Sequence, residues 1–286
     1  MPNLSKLFLM YKKIIVNFCP TGMIPTKRIT SHAPISPQEI IEQTHQAYEV
    51  GITIVHLHAR LENGAPTYKK NIYQEIFEGV RKYCPDLVIC GSTSGRNFPE
   101  FEKRSEVIEL KPDMCSLTLS SQNFIKHASI NTPDMVQRLA KKMKENGVSP
   151  ELECFDLGMI NYGKYLIKKR IIERPIYWNF LFGNIAGFQA SFNHIGTALA
   201  EIPEDHFIGL TGLAEYQLPI NAAAIAMGYG IRVGIEDNIW WDVERTQKCS
   251  NIDLIKRVHA LLEINQKEFY KPKDFGQLGF YNKEIK

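Results

Sequence analysis

The sequence predicts an α/β chain closed into a (β/α)8 TIM barrel and built as a single domain. Three observations carry this prediction. Short apolar or β-branched runs alternate with longer amphipathic stretches from residue 14 onward, eight such pairs can be counted, and no proline-rich, glycine-rich or low-complexity linker divides them. Regular βα alternation implies a parallel sheet with right-handed crossovers, and eight units in 286 residues suit a closed barrel better than an open doubly wound sheet.

The first strand is Ile14-Ile15-Val16-Asn17-Phe18, bounded by Pro20 and Gly22. Ser36-Pro37-Gln38-Glu39 then marks a helix start, with an N-cap serine, proline at the first helical position and a carboxylate three residues after the cap. That helix covers 36–50 and stops at Gly51, and the second strand fills 52–58. The alternation continues with helix 71–83, strand 87–90, helix 98–109, strand 113–117 and helix 132–146. Strand 151–155, helix 162–169, strand 176–182 and helix 188–200 follow, and strand 207–210, helix 217–227, strand 231–234 and helix 252–264 complete the set. The catalytic barrel domain therefore takes the whole chain, 1–286, with 1–13 as an N-terminal extension and 270–286 as a C-terminal tail on the outside or against a neighbouring subunit.

Composition narrows the function classes. Hydrophobic residues at 44% and charged residues at 23% match a chain with a sizeable core rather than a disordered one. A net charge of +3 from scattered basic pairs implies no nucleic-acid partner. The apolar run at 7–10 is far below the roughly 18 residues needed to span a bilayer, so no membrane partner is expected. Six cysteines without a CxxC pair argue against disulfides and against a cysteine zinc site, which points to a reducing, cytoplasmic setting. A homo-oligomer, a tetramer in preference, is the expected assembly.

In this architecture chemistry is sited at the C-terminal ends of the strands. Strand two ends in His56-Leu57-His58, and residues two apart on a strand point the same way, so both imidazoles face the barrel mouth, as a zinc ion requires. The alternative is a hydrogen-bonded histidine pair in a polar barrel top. Strand eight runs through Arg232-Val233-Gly234-Ile235 into Glu236-Asp237, near strand two across the closure, and a two-histidine, one-glutamate set with an open position describes a catalytic zinc. Alternatively Glu236 and Asp237 cap the next segment.

Strand three ends in Ser92-Thr93-Ser94-Gly95-Arg96, whose hydroxyls and amides suit a carboxylate. On strand four the alternation sets Ser116, Thr118 and Ser120 on one face. For either segment alone, an ordinary serine-rich turn is the plainer reading. Strand five carries Glu151-Leu152-Glu153-Cys154-Phe155, and an inward Glu153 can join Asp237 and Arg232 in a network that tunes a general base.

With these residues in view the chain resembles the β-keto acid cleavage enzyme family, whose better-known members cleave 3-keto-5-aminohexanoate. The resemblance runs from about Ile14 past strand eight. It is carried by PTG at 20–22, HLHAR at 56–60, STSGR at 92–96, PELECFDLG at 150–158 and RVGIEDN at 232–238. It implies zinc on His56, His58 and Glu236, substrate contacts at Ser92, Gly95 and Ser116, and Asp237 as the base organised by Arg232 and Glu153. The implied partners are a small β-keto acid and acetyl-CoA. The keto acid, held at zinc, loses a proton between its two carbonyls, attacks acetyl-CoA, and after CoA moves to the original keto carbon a retro-Claisen step leaves acetoacetate and a new acyl-CoA. No glycine-rich phosphate cradle marks where the CoA nucleotide rests.

Two other readings stand beside this one. A metal-dependent amidohydrolase also uses HxH, but on a first strand and with further histidines ending strands five and six. A barrel that only binds zinc or a ligand would need a lost catalytic group, yet Arg232, Glu153 and Asp237 are all present. The chain departs from the family at one position. Aminohexanoate-cleaving members carry, two residues after PTG, a glutamate that pairs with the substrate ammonium, and here that residue is Ile24. An apolar residue cannot compensate an ammonium, so an uncharged tail is expected first, while Lys27 and Arg28 keep a second carboxylate open. Alternatively Ile24 only packs its loop and selectivity arises at Tyr216 or Trp240.

Overall fold

The computed structural model describes residues 13–173 and 175–282, and its eight parallel strands close into a barrel. The strands are β1 (Val16–Phe18), β2 (Ile54–Leu57), β3 (Val88–Gly91), β4 (Met114–Thr118), β5 (Ser149–Cys154), β6 (Tyr177–Phe182), β7 (Phe207–Gly212) and β8 (Gly230–Val233). Each is followed by a helix: α1 (Pro37–Val50), α2 (Lys70–Tyr83), α3 (Phe101–Ser105), α4 (Pro133–Glu145), α5 (Leu157–Lys168), α6 (Phe192–Ala200), α7 (Gln217–Met227) and α8 (Asn251–Ile264). Neighbouring strands pair in sequence order, and β8 pairs with β1 through Arg232 opposite Asn17. The expected α/β barrel is therefore the observed fold.

The helix α1 begins as its sequence dictates. Ser36 accepts the Glu39 amide at 3.2 Å, and the Glu39 carboxylate accepts the Ser36 amide at 3.1 Å. Several boundaries differ from expectation for local reasons. The first strand divides at Ile15, because Lys13–Ile14 pairs with Glu268–Phe269 outside the barrel before Val16 joins β8. The helix expected over 98–109 starts only at Phe101, after Pro99, and tightens into a 3-10 turn, Glu106–Leu110. Helix α5 starts five residues early, since the Asp156 side chain accepts the Met159 amide at 2.8 Å and serves as N-cap. Helix α6 starts at Phe192 rather than 188, capped by Ser191.

Along each strand alternate side chains point inward, so the barrel interior is layered. The lowest layer is apolar, with Ile15, Ile54, Val88, Met114 and Tyr177. Beneath it the chain after residue 270 turns through α9 (Pro272–Phe275), and the rings of Phe275 and Phe280 stack 4.2 Å apart against that layer. Burying an aromatic side chain contributes about 1.5–3 kcal/mol, so this segment seals the N-terminal end of the barrel. Apart from Lys13, the expected extension 1–13 lies outside the described residues, as do 283–286 of the expected tail. No helix among the described residues is long and apolar enough to cross a membrane.

Candidate active site

One step above the apolar layer the interior turns polar. Asn17, His56, Cys90, Glu151, Asn179 and Thr211 are all buried here. Glu151 sits at the centre. Asn17 and Asn179 donate to its Oε1 at 2.7 and 2.9 Å, while the Cys90 thiol donates to Oε2 at 3.2 Å. The His56 Nδ1 lies 2.7 Å from the same Oε2. Burial alone would raise the Glu151 carboxyl, but His56 and Arg232 together draw it down to about 2. Burial opposes charge on His56 but Glu151 outweighs it and raises the imidazole; with the carboxylate holding a proton on Nδ1, the neutral ring would offer its Nε2 lone pair to a metal.

That lone pair faces the mouth. His56 Nε2 and His58 Nε2 are 3.2 Å apart, and His58 Nε2 is 3.2 Å from Glu236 Oε1. Burial pushes His58 down, keeping its imidazole neutral, as a metal ligand must be. Glu236 is held well below the usual carboxylate range: burial opposes its charge, but Arg232 and both histidines outweigh it. Its Oε2 is buried and has no hydrogen-bond partner. Two imidazole nitrogens and the Glu236 carboxylate converge, one of its oxygens being without a partner, and that donor chemistry fits a divalent cation such as zinc. A second cluster, His56 with Cys90 and Glu151, is fully buried. There the Cys90 thiol donates to the Glu151 carboxylate that faces His56 Nδ1, so these three groups are already bonded to one another and together support His56.

Beside the convergence lies a charge network. Arg232 Nε donates to Asp237 Oδ2 at 2.9 Å, its Nη2 lies 2.6 Å from Glu236 Oε1, and its Nη1 lies 3.3 Å from Glu153 Oε1. Asp237 also accepts the Cys19 thiol at 3.1 Å. Burial pushes Asp237 up, Arg232 pulls it back, and Glu236 adds to the rise. Glu153 is raised by burial and by Glu151.

The structure brings most of the expected residues together. His56, His58, Glu236, Asp237, Arg232 and Glu153 form one connected cluster, and Ser92 lines a narrow cleft with His58, Met23 and Ser94. The Ser116 hydroxyl accepts the Thr93 amide at 3.2 Å, which leaves its own proton to donate. Thr118 already donates to Glu153 at 2.7 Å, so it is tied to the charge network. At Gly95 an added Cβ would come within 2.6 Å of the buried Arg104 guanidinium, and this contact accounts for the glycine. Ile24 stands 61% exposed on the loop after β1. That loop crosses Glu236 so closely that a Cβ at Gly22, whose φ is +62°, would meet Glu236 Cγ at 2.4 Å. Buried Arg60 pins it by donating to the carbonyls of Gly22 and Pro25 at 2.9 and 3.0 Å.

Sequence reasoning missed Glu151, Asn17 and Arg60. The signal for Glu151 was available: it lies two residues before Glu153 on one strand, so both carboxylates must share a face. The histidines that an amidohydrolase needs at the ends of β5 and β6 are not there. His194 is exposed on α6, and His206 lies near the opposite end of the barrel, bonded to the Trp178 indole at 3.0 Å. A roomier hollow of about 500 Å³ at that end, among Ile15, Phe207 and Gly230, holds none of the clustered groups, so donor atoms rather than volume locate the site.

Fold and site together define a barrel enzyme with a metal-ready His-His-Glu centre at the C-terminal mouth. Residues 13–278 match the family model for the beta-keto acid cleavage enzyme, and the chain belongs to that family, a class of acyl-transfer and carbon–carbon cleavage enzymes. It is 32% identical to a 3-keto-5-aminohexanoate cleavage enzyme of Acetoanaerobium sticklandii, over 91% of this chain and 94% of that one. It is also 32% identical to a 3-oxoadipate:acetyl-CoA acetyltransferase of Cupriavidus necator, over 89% and 90% of the two chains. The apo structure of ObcA superposes with a TM-score of 0.73 at 18% identity, covering 88% of this chain and 66% of that one, which shows the shared fold.

Proposed function

We propose that this chain cleaves a 3-keto acid with acetyl-CoA, giving acetoacetate and the acyl-CoA of the remaining fragment, at a zinc held by His56, His58 and Glu236. The observation that carries this reading is the convergence of two imidazole nitrogens and the Glu236 carboxylate beside the Arg232–Asp237 pair. The names of the relatives, which include an acetyl-CoA acetyltransferase, support the co-substrate. When bound, zinc supplies Lewis acidity that polarises a carbonyl without redox chemistry.

The chain's own residues do the rest. Ser92 and Ser116 offer hydroxyl protons to the keto acid carboxylate, with the backbone at Gly95 beside them. Asp237 takes the proton from the carbon between the two carbonyls. Arg232 holds both Asp237 oxygens at 2.9 and 3.3 Å and so fixes the direction of that transfer, while Glu153, tied to Thr118, keeps Arg232 in place. The carbanion attacks the acetyl thioester, CoA is handed to the original keto carbon, and the carbon–carbon bond next to it breaks. Atoms and charge balance, because Asp237 returns its proton to the acetoacetate carbon.

Metal analysis and an acetoacetate assay test the reading together. Wild-type protein should carry one zinc per chain and form acetoacetate from acetyl-CoA with a member of a 3-keto acid panel, and His58→Ala should lose the zinc. Stoichiometric zinc in His58→Ala would show that the ligands are misassigned.

Ile24 bears on the substrate tail. An isoleucine offers no anion to an ammonium, so the 5-amino substrate should be a poor one. Because Ile24 is 61% exposed, a carboxylate placed there acts through solvent-screened attraction of about 1 kcal/mol at most. Ile24→Glu should thus shift relative kcat/KM toward the 5-amino compound by roughly fivefold. An unchanged ratio would show that this position does not read the tail.

A further inference from the structure

We propose that Arg96 binds a carboxylate at the far end of the keto acid, so that the substrate of this chain is a 3-oxo diacid; this inference rests on the function proposed above. Arg96 closes the segment that leaves β3. Its amide donates to Ser94 Oγ at 3.4 Å, and the Ser94 amide in turn donates to Ser92 Oγ at 3.2 Å. Ser92 and Ser94 line the cleft with His58, so the arginine sits at the edge of the proposed reacting centre. Its guanidinium carbon lies 3.9 Å from the centre of the Phe124 ring, and Phe124 packs edge-on against Phe155 at 5.7 Å. The aromatic pair holds the cation in place while its N–H edge stays available.

The cations around it already have partners. Arg232 is shared by Asp237, Glu236 and Glu153. Arg104 is bonded to Thr93 and Asn131, Arg60 to backbone carbonyls, and Lys103 to Glu100. Of Lys27 and Arg28, which the sequence left open for a second carboxylate, Lys27 is paired with Glu39 at 2.6 Å and Arg28 is exposed to solvent. Among the described residues the half-buried guanidinium of Arg96 makes a ring contact with Phe124 but no hydrogen bond or ion pair. A partly desolvated cation without an anion is costly, and a ligand carboxylate relieves that cost.

The candidate anions differ in reach. The carboxylate next to the reacting carbon is assigned to Ser92 and Ser116. The CoA phosphates lie a whole pantetheine arm away from the thioester, whereas Arg96 is close enough to the centre to feel the charges of Glu236, Glu153 and Asp237. A carboxylate a few carbons along the keto acid matches that position. The uncharged tail that Ile24 brings to mind therefore gives way to an anionic one.

The test compares a six-carbon 3-oxo diacid with the neutral 3-oxo acid of equal length, in wild type, Arg96→Gln and Arg96→Lys. A charge-assisted bidentate contact predicts that wild type prefers the diacid by roughly 10- to 100-fold in kcat/KM. Arg96→Gln should bring that ratio close to one, chiefly through KM for the diacid, and Arg96→Lys should keep part of it. A ratio unchanged by Arg96→Gln overturns the proposal. So does a penalty that falls on KM for acetyl-CoA and disappears with acetyl-pantetheine, since the anion would then be a CoA phosphate. If no 3-keto acid is turned over, the proposed function fails, and calorimetric titration with adipate and hexanoate still decides the role of Arg96. Adipate binding weakened about tenfold in Arg96→Gln, with hexanoate unaffected, supports it, and equal adipate binding to both proteins overturns it.

Discussion

Asp237→Asn should lower kcat by roughly 10²- to 10⁴-fold, the span a positioned general base contributes, with KM and zinc content close to wild type. The substitution is nearly isosteric, and Arg232 can still donate to one amide oxygen. What disappears is the proton acceptor, a contact that matters chiefly in the transition state and so appears in kcat. The same variant separates an enzyme from a ligand-binding barrel, because a binder would keep its affinity and show no turnover to lose. Near-normal kcat in Asp237→Asn would remove Asp237 from the proton-transfer role. Arg232→Ala sharpens the result. Three carboxylates gather on Arg232, whose side chain is 3% exposed, so removing it leaves several buried anions uncompensated and should reduce folded protein as well as rate. Only the asparagine variant isolates the chemistry.

The barrel was legible in the sequence because its signals are local. Ser36, Pro37 and Glu39 specify where α1 begins without help from the rest of the chain. The short β-branched runs could be little other than strands once eight of them alternated with amphipathic stretches. Where the reading slipped, a side chain had competed with the backbone pattern: Asp156 caps α5 early, and Pro99 delays α3. The ends of β2 and β8 were legible for a related reason, since period-two alternation alone sends His56 and His58 to one side. Asn17 and Asn179 lie in the middle of strands, where an isolated polar residue carries no positional mark, and Glu151 was marked only by sharing a face with Glu153. Their meaning appears only when four strands bring four donors to one carboxylate. Arg96 was visible as the last residue of STSGR. Nothing in one dimension shows that Arg104, Lys103 and Lys27 have partners and Arg96 has no counter-charge.

Glu151→Gln should weaken zinc affinity by roughly 10- to 100-fold, the range seen when the partner of a metal-ligating histidine is removed, although Glu151 is no ligand itself. The loss follows from the number of hydrogen bonds that Glu151 accepts. The carboxylate accepts from Asn17 and Asn179 at Oε1, and from His56 and Cys90 at Oε2. A glutamine has one oxygen and one NH2 group, so whichever way it turns, two of the four donors meet a donor. If the oxygen faces the asparagines, the NH2 faces His56 Nδ1. The imidazole must then move its proton to Nε2, the nitrogen that points at His58 and Glu236. If the amide turns the other way, both buried asparagines lose their acceptor, at about 1–3 kcal/mol for each group left unsatisfied. Glu153→Gln is the matched control, because Glu153 bonds Thr118 and Arg232 rather than a histidine, and should lower kcat with little change in zinc affinity. Competition with a chelator measures both variants. Wild-type zinc affinity in Glu151→Gln, or an equal loss in Glu153→Gln, would show that the carboxylate beneath His56 does not set the tautomer of the site.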